Sequence, residues 1–222
     1  MIAASGFDGV LIHGTGTNGN LVAGNFIGTD ASGTLDLGNG FSGVAVDFGS
    51  QSNTIGGGVG ALGNVIAFNH QAGVAIYDPG TSGNRIQANR IYANLGLGID
   101  LEGDGVTTNH IGDTSTGPNG NQNYPLITST APGPNTLVAG TLSSLPNQIY
   151  TLDFYASGRP DPSYFGAARV YLGSVGVATN GSGEATFKAS LGVATTAGQW
   201  VSVTATGPGG DTSEFSQAEP LP

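Results

Sequence analysis

Side chains that can do acid–base chemistry occupy matching positions in four short repeats of this 222-residue sequence. Each repeat starts at a glycine and continues with apolar residues, as in Gly9-Val10-Leu11-Ile12. Four residues after these glycines lie His13, Asp47, Tyr77 and Glu102, and two residues after the last glycine lies Asp100. Because alternate side chains of a β-strand share a face, we expect all five on one outer face. Such groups can exchange protons with a bound molecule, although an ordinary solvated face is the alternative.

The segments that must position these side chains are short, β-branched and repeated along residues 1–124. A second motif, Asn-x-(Val/Ile)-x-x-Asn-x-Ile, occurs whole at residues 20–27 and 84–91. In the middle repeat it is split by a glycine-rich loop, residues 56–63. Repeats that cannot bury their own apolar face must stack on neighbours, and asparagines at the corners can form hydrogen-bonded ladders. We therefore predict a parallel β-helix of about four rungs, with residues 29–39 as a protruding loop.

Residues 125–222 follow a different pattern, in which short strands are separated by turns. Turn signals include Asn180-Gly181 and Pro208-Gly209-Gly210. Candidate strands cover residues 136–142, 148–155, 168–172, 175–179, 184–190 and 199–206. About seven short strands over roughly 95 residues are typical of an antiparallel Ig-like β-sandwich. The sequence thus predicts an all-β chain of two domains, a β-helix over 1–124 and a sandwich over 125–222.

The composition limits the partners and the chemistry. Fifteen acidic and five basic residues give a net charge of −10, which disfavours binding to nucleic acids and anionic membranes. The sequence has no apolar run of about 18 residues, so we expect no membrane insertion. Cysteine is absent, which excludes disulfides, thiol catalysis and thiolate metal sites. The first five residues lack the basic and apolar regions of a signal peptide, so we expect an upstream leader to have been removed or lost.

Two runs in the first half carry a family resemblance. One extends from Gly9 to Thr34 and includes Gly24-Asn25-Phe26-Ile27-Gly28, and the other begins with Asn53-Thr54-Ile55-Gly56-Gly57. They resemble the pectate-lyase-like right-handed β-helix repeats of secreted bacterial proteins. The resemblance covers residues 6–125 and implies a right-handed helix, a secreted or cell-surface location and a polysaccharide partner. The segment 211–216 also resembles the last strand of Ig-like domains that often follow such β-helices.

The resemblance leaves several activities open, because this superfamily includes lyases, hydrolases and adhesins. For a hydrolase, Asp47 and Glu102 lie two rungs apart, about 9.6 Å between backbones, which suits an inverting glycosidase. The charge of Asp100 is expected to raise the pKa of Glu102 and keep it protonated as general acid. Asp47 would be the base beside His13, and Tyr77 would contact a sugar ring. A retaining mechanism stays open, a lyase is less favoured, and a non-catalytic surface protein, adhesin or glycan-binding fragment is the alternative.

Two basic residues are further candidates for substrate binding. Arg85 and Arg90 are two of the five basic residues in the chain. They could contact an acidic sugar, or they could pair locally with the acidic surface. The chain also begins inside a repeat, with no capping segment before Gly9. Uncapped β-helix ends expose unpaired backbone, so we expect either a truncated parent protein or end-to-end association of identical chains.

A loop after the last repeat is a candidate calcium site. Asp104, Asn109 and Asp113 lie in a glycine-rich stretch, and hard oxygen ligands on flexible loops suit calcium. The loop resembles the junction in related β-helix proteins, where a further Asp follows Asp113 by two residues, whereas this chain has Ser115 there. No cofactor is required by the sequence, and bound Ca²⁺ would be structural. The alternative is a loop held by Asx-turn hydrogen bonds.

Overall fold

The computed structural model describes residues 1–57, 63–113 and 115–222. In these residues nearly all of the regular secondary structure is β-strand, in three parallel and two antiparallel sheets. The predicted all-β fold, a parallel β-helix followed by a β-sandwich, is confirmed. Residues 58–62 of the predicted glycine-rich loop lie outside the described residues. In the part of the chain that the structure describes, no helix is long and apolar enough to cross a membrane.

The first half winds into three complete coils and the first strand of a fourth. Its strands are β1 Val10–His13, β2 Leu21–Val22, β3 Phe26–Ile27, β4 Val44–Asp47, β5 Thr54–Gly56, β6 Val65–Ala67, β7 Val74–Ile76, β8 Arg85–Gln87, β9 Arg90–Tyr92 and β10 Ile99–Leu101. The sheets have the orders β1-β4-β7-β10, β2-β5-β8 and β3-β6-β9. All of their pairings are parallel, which is the arrangement of a β-helix.

The interior of the β-helix is a stack of aliphatic side chains from all three sheets. Ile27, Ile55 and Ile66 are fully buried and come from different strands. Burial of these β-branched side chains removes apolar surface from water and favours extended backbone at the same positions. The repeat glycines are required where the coils come close together. A Cβ on Gly43 would lie 2.4 Å from Cγ2 of Ile66 and 2.7 Å from the carbonyl oxygen of Gly73.

Three ladders of asparagine side chains hold the corners of the coils, as the motif predicted. In one ladder the amide of Asn64 donates to Oδ1 of Asn89 at 2.9 Å and its own Oδ1 accepts from Asn25. The other two ladders run through Asn20, Asn53 and Asn84 and through Asn39, Asn69 and Asn94. Most of these side chains are buried, and each one satisfies a neighbour above or below it.

The second half is a seven-stranded antiparallel sandwich in the described residues. Two 3₁₀ turns, Ile111–Asp113 and Pro118–Asn121, lead into it. Its strands are β11 Leu126–Ala131, β12 Thr136–Ser143, β13 Ile149–Ser157, β14 Val170–Ala178, β15 Glu184–Leu191, β16 Trp200–Thr206 and β17 Glu219–Pro220. One sheet has the order β11-β12-β15 and the other the order β14-β13-β16-β17. The two strands predicted at 168–172 and 175–179 are one continuous strand, β14.

The sandwich closes one end of the β-helix with apolar side chains. Tyr155, Ala168 and Phe215 belong to the same buried cluster as the interior of the coils. The ring of Phe215 lies over Gly98, where a Cβ would come within 2.7 Å of it. The two halves therefore share one core, although the sequence divides between them near residue 124.

Polar groups of the sandwich also complete the hydrogen bonding of the last coils. The backbone N–H groups of each strand alternate in direction, so that Val74 N donates to Gly98 O of the next coil and Tyr77 N donates to Val46 O of the preceding coil. At the end of the stack, Leu101 N donates to Oε1 of Glu214 and Ile86 N donates to Oγ1 of Thr212. The segment predicted as a closing strand, residues 211–216, thus acts as a cap. At the opposite end of the stack, residues before Gly9 pair with the first coil, since Ile2 N donates to Phe26 O and Gly28 N donates to Ile2 O. The expected lack of a capping segment is therefore wrong, and end-to-end association stays a prediction.

Candidate active site

The register of the four repeats, inferred from their glycines, is confirmed in the sheet β1-β4-β7-β10. His13 is paired with Asp47, and Val46 is paired with Ile76. Ile76 is in turn paired with Leu101. Tyr77 directly follows Ile76, and Glu102 directly follows Leu101. All four predicted side chains therefore come from equivalent positions of successive coils.

Asp47 and His13 form a direct pair on the outer face. Oδ1 of Asp47 lies 2.8 Å from Nδ1 of His13. The imidazole is 55% exposed and the carboxylate 15% exposed, and the ring of Phe48 lies 4.7 Å from the imidazole. An imidazole at this distance can take up or return a proton of the carboxyl group, so the pair is suited to act as a base.

Asp100 is the carboxyl group with the most unusual environment on this face. Only 8% of the residue is exposed, and burial raises its pKa to about 6. Its Oδ1 accepts a hydrogen bond from Gly103 N, which helps to hold it in place. It lines a cavity of about 280 Å³ together with His70, Tyr77 and Leu95. A carboxyl group that titrates near pH 6 can donate a proton under mildly acidic conditions.

Tyr77 packs on the wall of the same cavity. A Cβ on Gly103 would lie 2.2 Å from the Tyr77 ring, so only a glycine at position 103 leaves room for the ring. Burial raises the pKa of Tyr77, and the charges of Asp8, Asp100 and Asp47 add to this effect. The phenol therefore stays protonated and can donate a hydrogen bond next to Asp100.

Glu102 differs from Asp100 although only one residue separates them. Its backbone is left-handed, with φ of 81°, and the residue is exposed. Its Oε1 accepts a hydrogen bond from the amide of Asn121 at 2.7 Å. The turn after β10 therefore gives the two carboxyl groups different surroundings, and Asp100 is the one that is buried in the cavity.

The two predicted arginines lie on other sheets of the coil. Arg85 is in β8, near the buried carboxylate of Asp153; burial raises the pKa of Asp153 and the charge of Arg85 opposes that rise. Arg90 is in β9, and its Nε donates to the carbonyl oxygen of Arg169 at 2.9 Å. The structure thus brings neither arginine to the face that carries Asp47 and Asp100.

The residues of the predicted calcium loop have protein partners of their own. The side chain of Asn109 bonds to both backbone groups of Tyr124, donating at 2.8 Å and accepting at 3.0 Å. Asp113 accepts from Asn123 N and from the hydroxyl of Ser144. Asp104 is exposed. Within residues 1–57, 63–113 and 115–222, no three His, Asp or Glu side chains are grouped to hold a metal ion, and the calcium site stays a prediction.

Other residues on the face were not anticipated from the sequence. Asp8 accepts a hydrogen bond from Ser42 N at 2.9 Å, and burial raises its pKa. Phe7 and Phe41 are exposed and stack on each other, with ring centroids 6.0 Å apart. These residues lie one and two positions before the repeat glycines. Counting backwards from Gly9 and its equivalent would have found the aromatic pair.

The chain was compared with known families and with curated proteins. No family model matches the chain, and no curated protein matches it either.

Proposed function

We propose that this protein is a secreted or cell-surface polysaccharide hydrolase that binds its substrate along the outer face of the sheet β1-β4-β7-β10. The observation that carries the proposal is the cavity of Asp100, where a buried carboxyl group with a pKa of about 6 lies beside Tyr77. We also propose that the chain belongs to the pectate-lyase-like group of right-handed β-helix proteins. The parallel coils and the asparagine ladders support that placement.

In this proposal Asp100 is the general acid, the role that sequence reasoning assigned to Glu102. Because burial raises its pKa to about 6, Asp100 keeps its proton to a higher pH than an ordinary aspartate does. The proton can pass to the glycosidic oxygen as the bond breaks, and the carboxylate that remains is held by the N–H of Gly103. Glu102 is exposed in the same turn, and its proposed role is to contact the substrate.

Asp47 is the proposed base, and its spacing from Asp100 favours inversion. Asp100 pairs with Ala75, which pairs with Ala45, so Asp47 lies two coils and two residues away. Strand dimensions make this about 12 Å between Cα atoms. That leaves room for a water molecule between substrate and base, whereas a retaining enzyme needs carboxyl groups about 5 Å apart. His13 receives the proton from Asp47.

A second candidate function is glycan binding without turnover, and the exposed aromatic pair favours it. Phe7 and Phe41 form a stacked apolar patch, 73% and 40% exposed, beside the first strands of the same face. Such a surface suits the C–H face of a sugar ring and needs no catalytic group. A surface protein or adhesin could use the same sheet in this way.

The test is an assay of reducing-sugar release over a panel of plant, algal and microbial polysaccharides. Asp100→Asn and Asp47→Asn are each expected to lower turnover by about 10²- to 10⁴-fold, since each removes one proton-transfer group. Asp36→Asn, an exposed aspartate of the 29–39 loop, is the matched control and should retain the parent rate. Full turnover by both active-site variants would refute the assignment. Binding with no turnover by the parent protein would favour the glycan-binding function, and an unsaturated product absorbing in the ultraviolet would indicate a lyase.

A further inference from the structure

Three of the five basic residues in this acidic chain gather at one groove between the β-helix and the sandwich. Arg159 and Arg169 line the groove, whose volume is about 410 Å³, and Arg90 lies beside it. The remaining lining includes Tyr92, Leu95, Ser157 and Asp161. Because the net charge is −10, a positive groove of this kind does not follow from composition.

We infer that this groove binds the anionic group of an acidic polysaccharide, a carboxylate or a sulfate ester. The inference deepens the proposed function, on which it rests for the identity of the ligand as a glycan. Arginine is suited to both anions because its planar guanidinium can donate two parallel hydrogen bonds.

The guanidinium groups of the groove are not neutralised by the protein. Throughout the described residues, the only ion pair is the one between His13 and Asp47. Asp161 shares the groove, but its Oδ1 accepts from both the backbone N and the hydroxyl of Ser163. One carboxylate engaged with its own loop opposes two lining arginines, so the groove keeps a net positive charge.

Two of the three arginines, Arg90 and Arg169, are held in place by the Tyr92 ring before any ligand arrives. Cζ of Arg169 lies 4.5 Å from the centre of the Tyr92 ring, and Cζ of Arg90 lies 5.8 Å from it. The Tyr92 ring is fixed in turn, because its hydroxyl donates to the carbonyl oxygen of Gly33 at 2.7 Å. A cation over an aromatic ring is stabilised while its outer edge stays open to solvent. The groove therefore presents oriented donors and loses less side-chain entropy when it binds an anion.

One residue connects the groove to the cavity of the proposed general acid. Leu95 is 78% exposed and lines both the arginine groove and the Asp100 cavity. A sugar chain lying over this side chain would place an acidic residue among the arginines and a neighbouring glycosidic bond near Asp100. This continuity is the reason for choosing an acidic glycan rather than a free anion as the ligand.

The test is calorimetric binding to three oligosaccharide probes. They are an oligogalacturonate, the same oligomer with its carboxylates methyl-esterified, and a sulfated galactan oligomer. We expect the parent protein to bind at least one of the two charged probes and to bind the esterified oligomer much more weakly. The charged probe that binds identifies the anion as carboxylate or sulfate. Equal binding of the charged and esterified oligomers, or binding of neither charged probe, would overturn the inference.

Variants locate the site and separate the two proposals. The double variant Arg159→Gln/Arg169→Gln should lower the affinity for the charged probe by roughly 10- to 100-fold, because charge-assisted hydrogen bonds are lost. Lys188→Gln, on strand β15 of the sandwich, is the control and should bind as the parent does. Unchanged binding by the double variant would overturn the groove as the site. Asp100→Asn should still bind the charged probe, so loss of hydrolysis and loss of anion binding are measured independently.

Discussion

Glu214 gives the junction between the two halves a pH-dependent stability. The residue is only 2% exposed, and its carboxyl group accepts hydrogen bonds from Leu101 N and Thr107 N, each at 2.9 Å. Burial raises its pKa from 4.5 to about 8; the charge of Asp100 adds to this rise and the hydrogen bonds oppose it. The same side chain therefore caps the last coil and holds a proton that the unfolded chain would release.

The sign and size of the effect follow from the two pKa values. Between pH 4.5 and 8 the folded protein binds this proton more tightly than the unfolded chain does. The stabilisation is complete below pH 4.5 and is lost as the pH rises through 8. The values differ by about 3.5, and at about 1.4 kcal/mol for each pKa unit the free energy of unfolding falls by about 5 kcal/mol. Asp100, with a pKa of about 6, acts in the same direction below pH 6.

The substitution Glu214→Gln separates the contribution of this group from all others. Glutamine keeps the shape but cannot ionise, and its amide must face either Leu101 N or Thr107 N. Loss of one acceptor should cost about 1–3 kcal/mol. At about pH 5 the parent should be the more stable protein, and by about pH 9 the variant should be equally or more stable.

The assay is urea unfolding at one-unit steps from about pH 5 to pH 9, followed by Trp200 fluorescence and by circular dichroism. The difference in free energy of unfolding between the parent and Glu214→Gln is plotted against pH. Glu184→Gln, an exposed glutamate of the sandwich, is the control and should keep the pH profile of the parent. A difference between parent and Glu214→Gln that stays constant over this range would refute the reasoning.

Two further predictions concern the cap and the ladders. Phe215→Ala should lower the free energy of unfolding by about 3–5 kcal/mol, because the ring packs edge-on against Tyr155 and fills the space over Gly98. Thermal unfolding measures this loss, and a melting temperature equal to that of the parent would contradict the role of the cap. Asn64→Ala should cost about 1–3 kcal/mol, since Oδ1 of Asn89 loses one of its two donors and Val22 O loses the Asn64 amide inside the coil. The control is Asn135→Ala in the exposed turn between β11 and β12, and equal effects of the two substitutions would argue against the ladder.

The sequence by itself determined the coil architecture and its register. The repeat glycines and the paired asparagines report constraints that act between equivalent positions of adjacent coils, such as Gly43 against Gly73 and Asn64 against Asn89. Each coil packs on its neighbour in the same way. The spacing of these residues along the chain therefore predicts which residues of adjacent coils are in contact. The outer column that includes His13 and Asp47 followed from the same periodicity.

Only the tertiary structure distinguished the carboxyl groups of that column. Asp100 and Glu102 share a predicted face, yet one is buried in a cavity and the other is exposed in a left-handed turn. Burial depends on what the rest of the chain places nearby, in this case Tyr77 and the turn at Gly103. Since burial sets the pKa, the choice of the acid could not be made from spacing alone.

The end cap and the arginine groove were also decided by the tertiary structure. Residues 211–216 have the pattern of a strand, but the last coil offers them unpaired N–H groups, and Glu214 bonds to one of these. Arg90 and Arg169 come from different halves of the chain and meet only because the sandwich packs against the coils. Contacts within the repeat are encoded by periodicity, whereas contacts between the repeat and the sandwich have no period, and folding of the whole chain is what creates them.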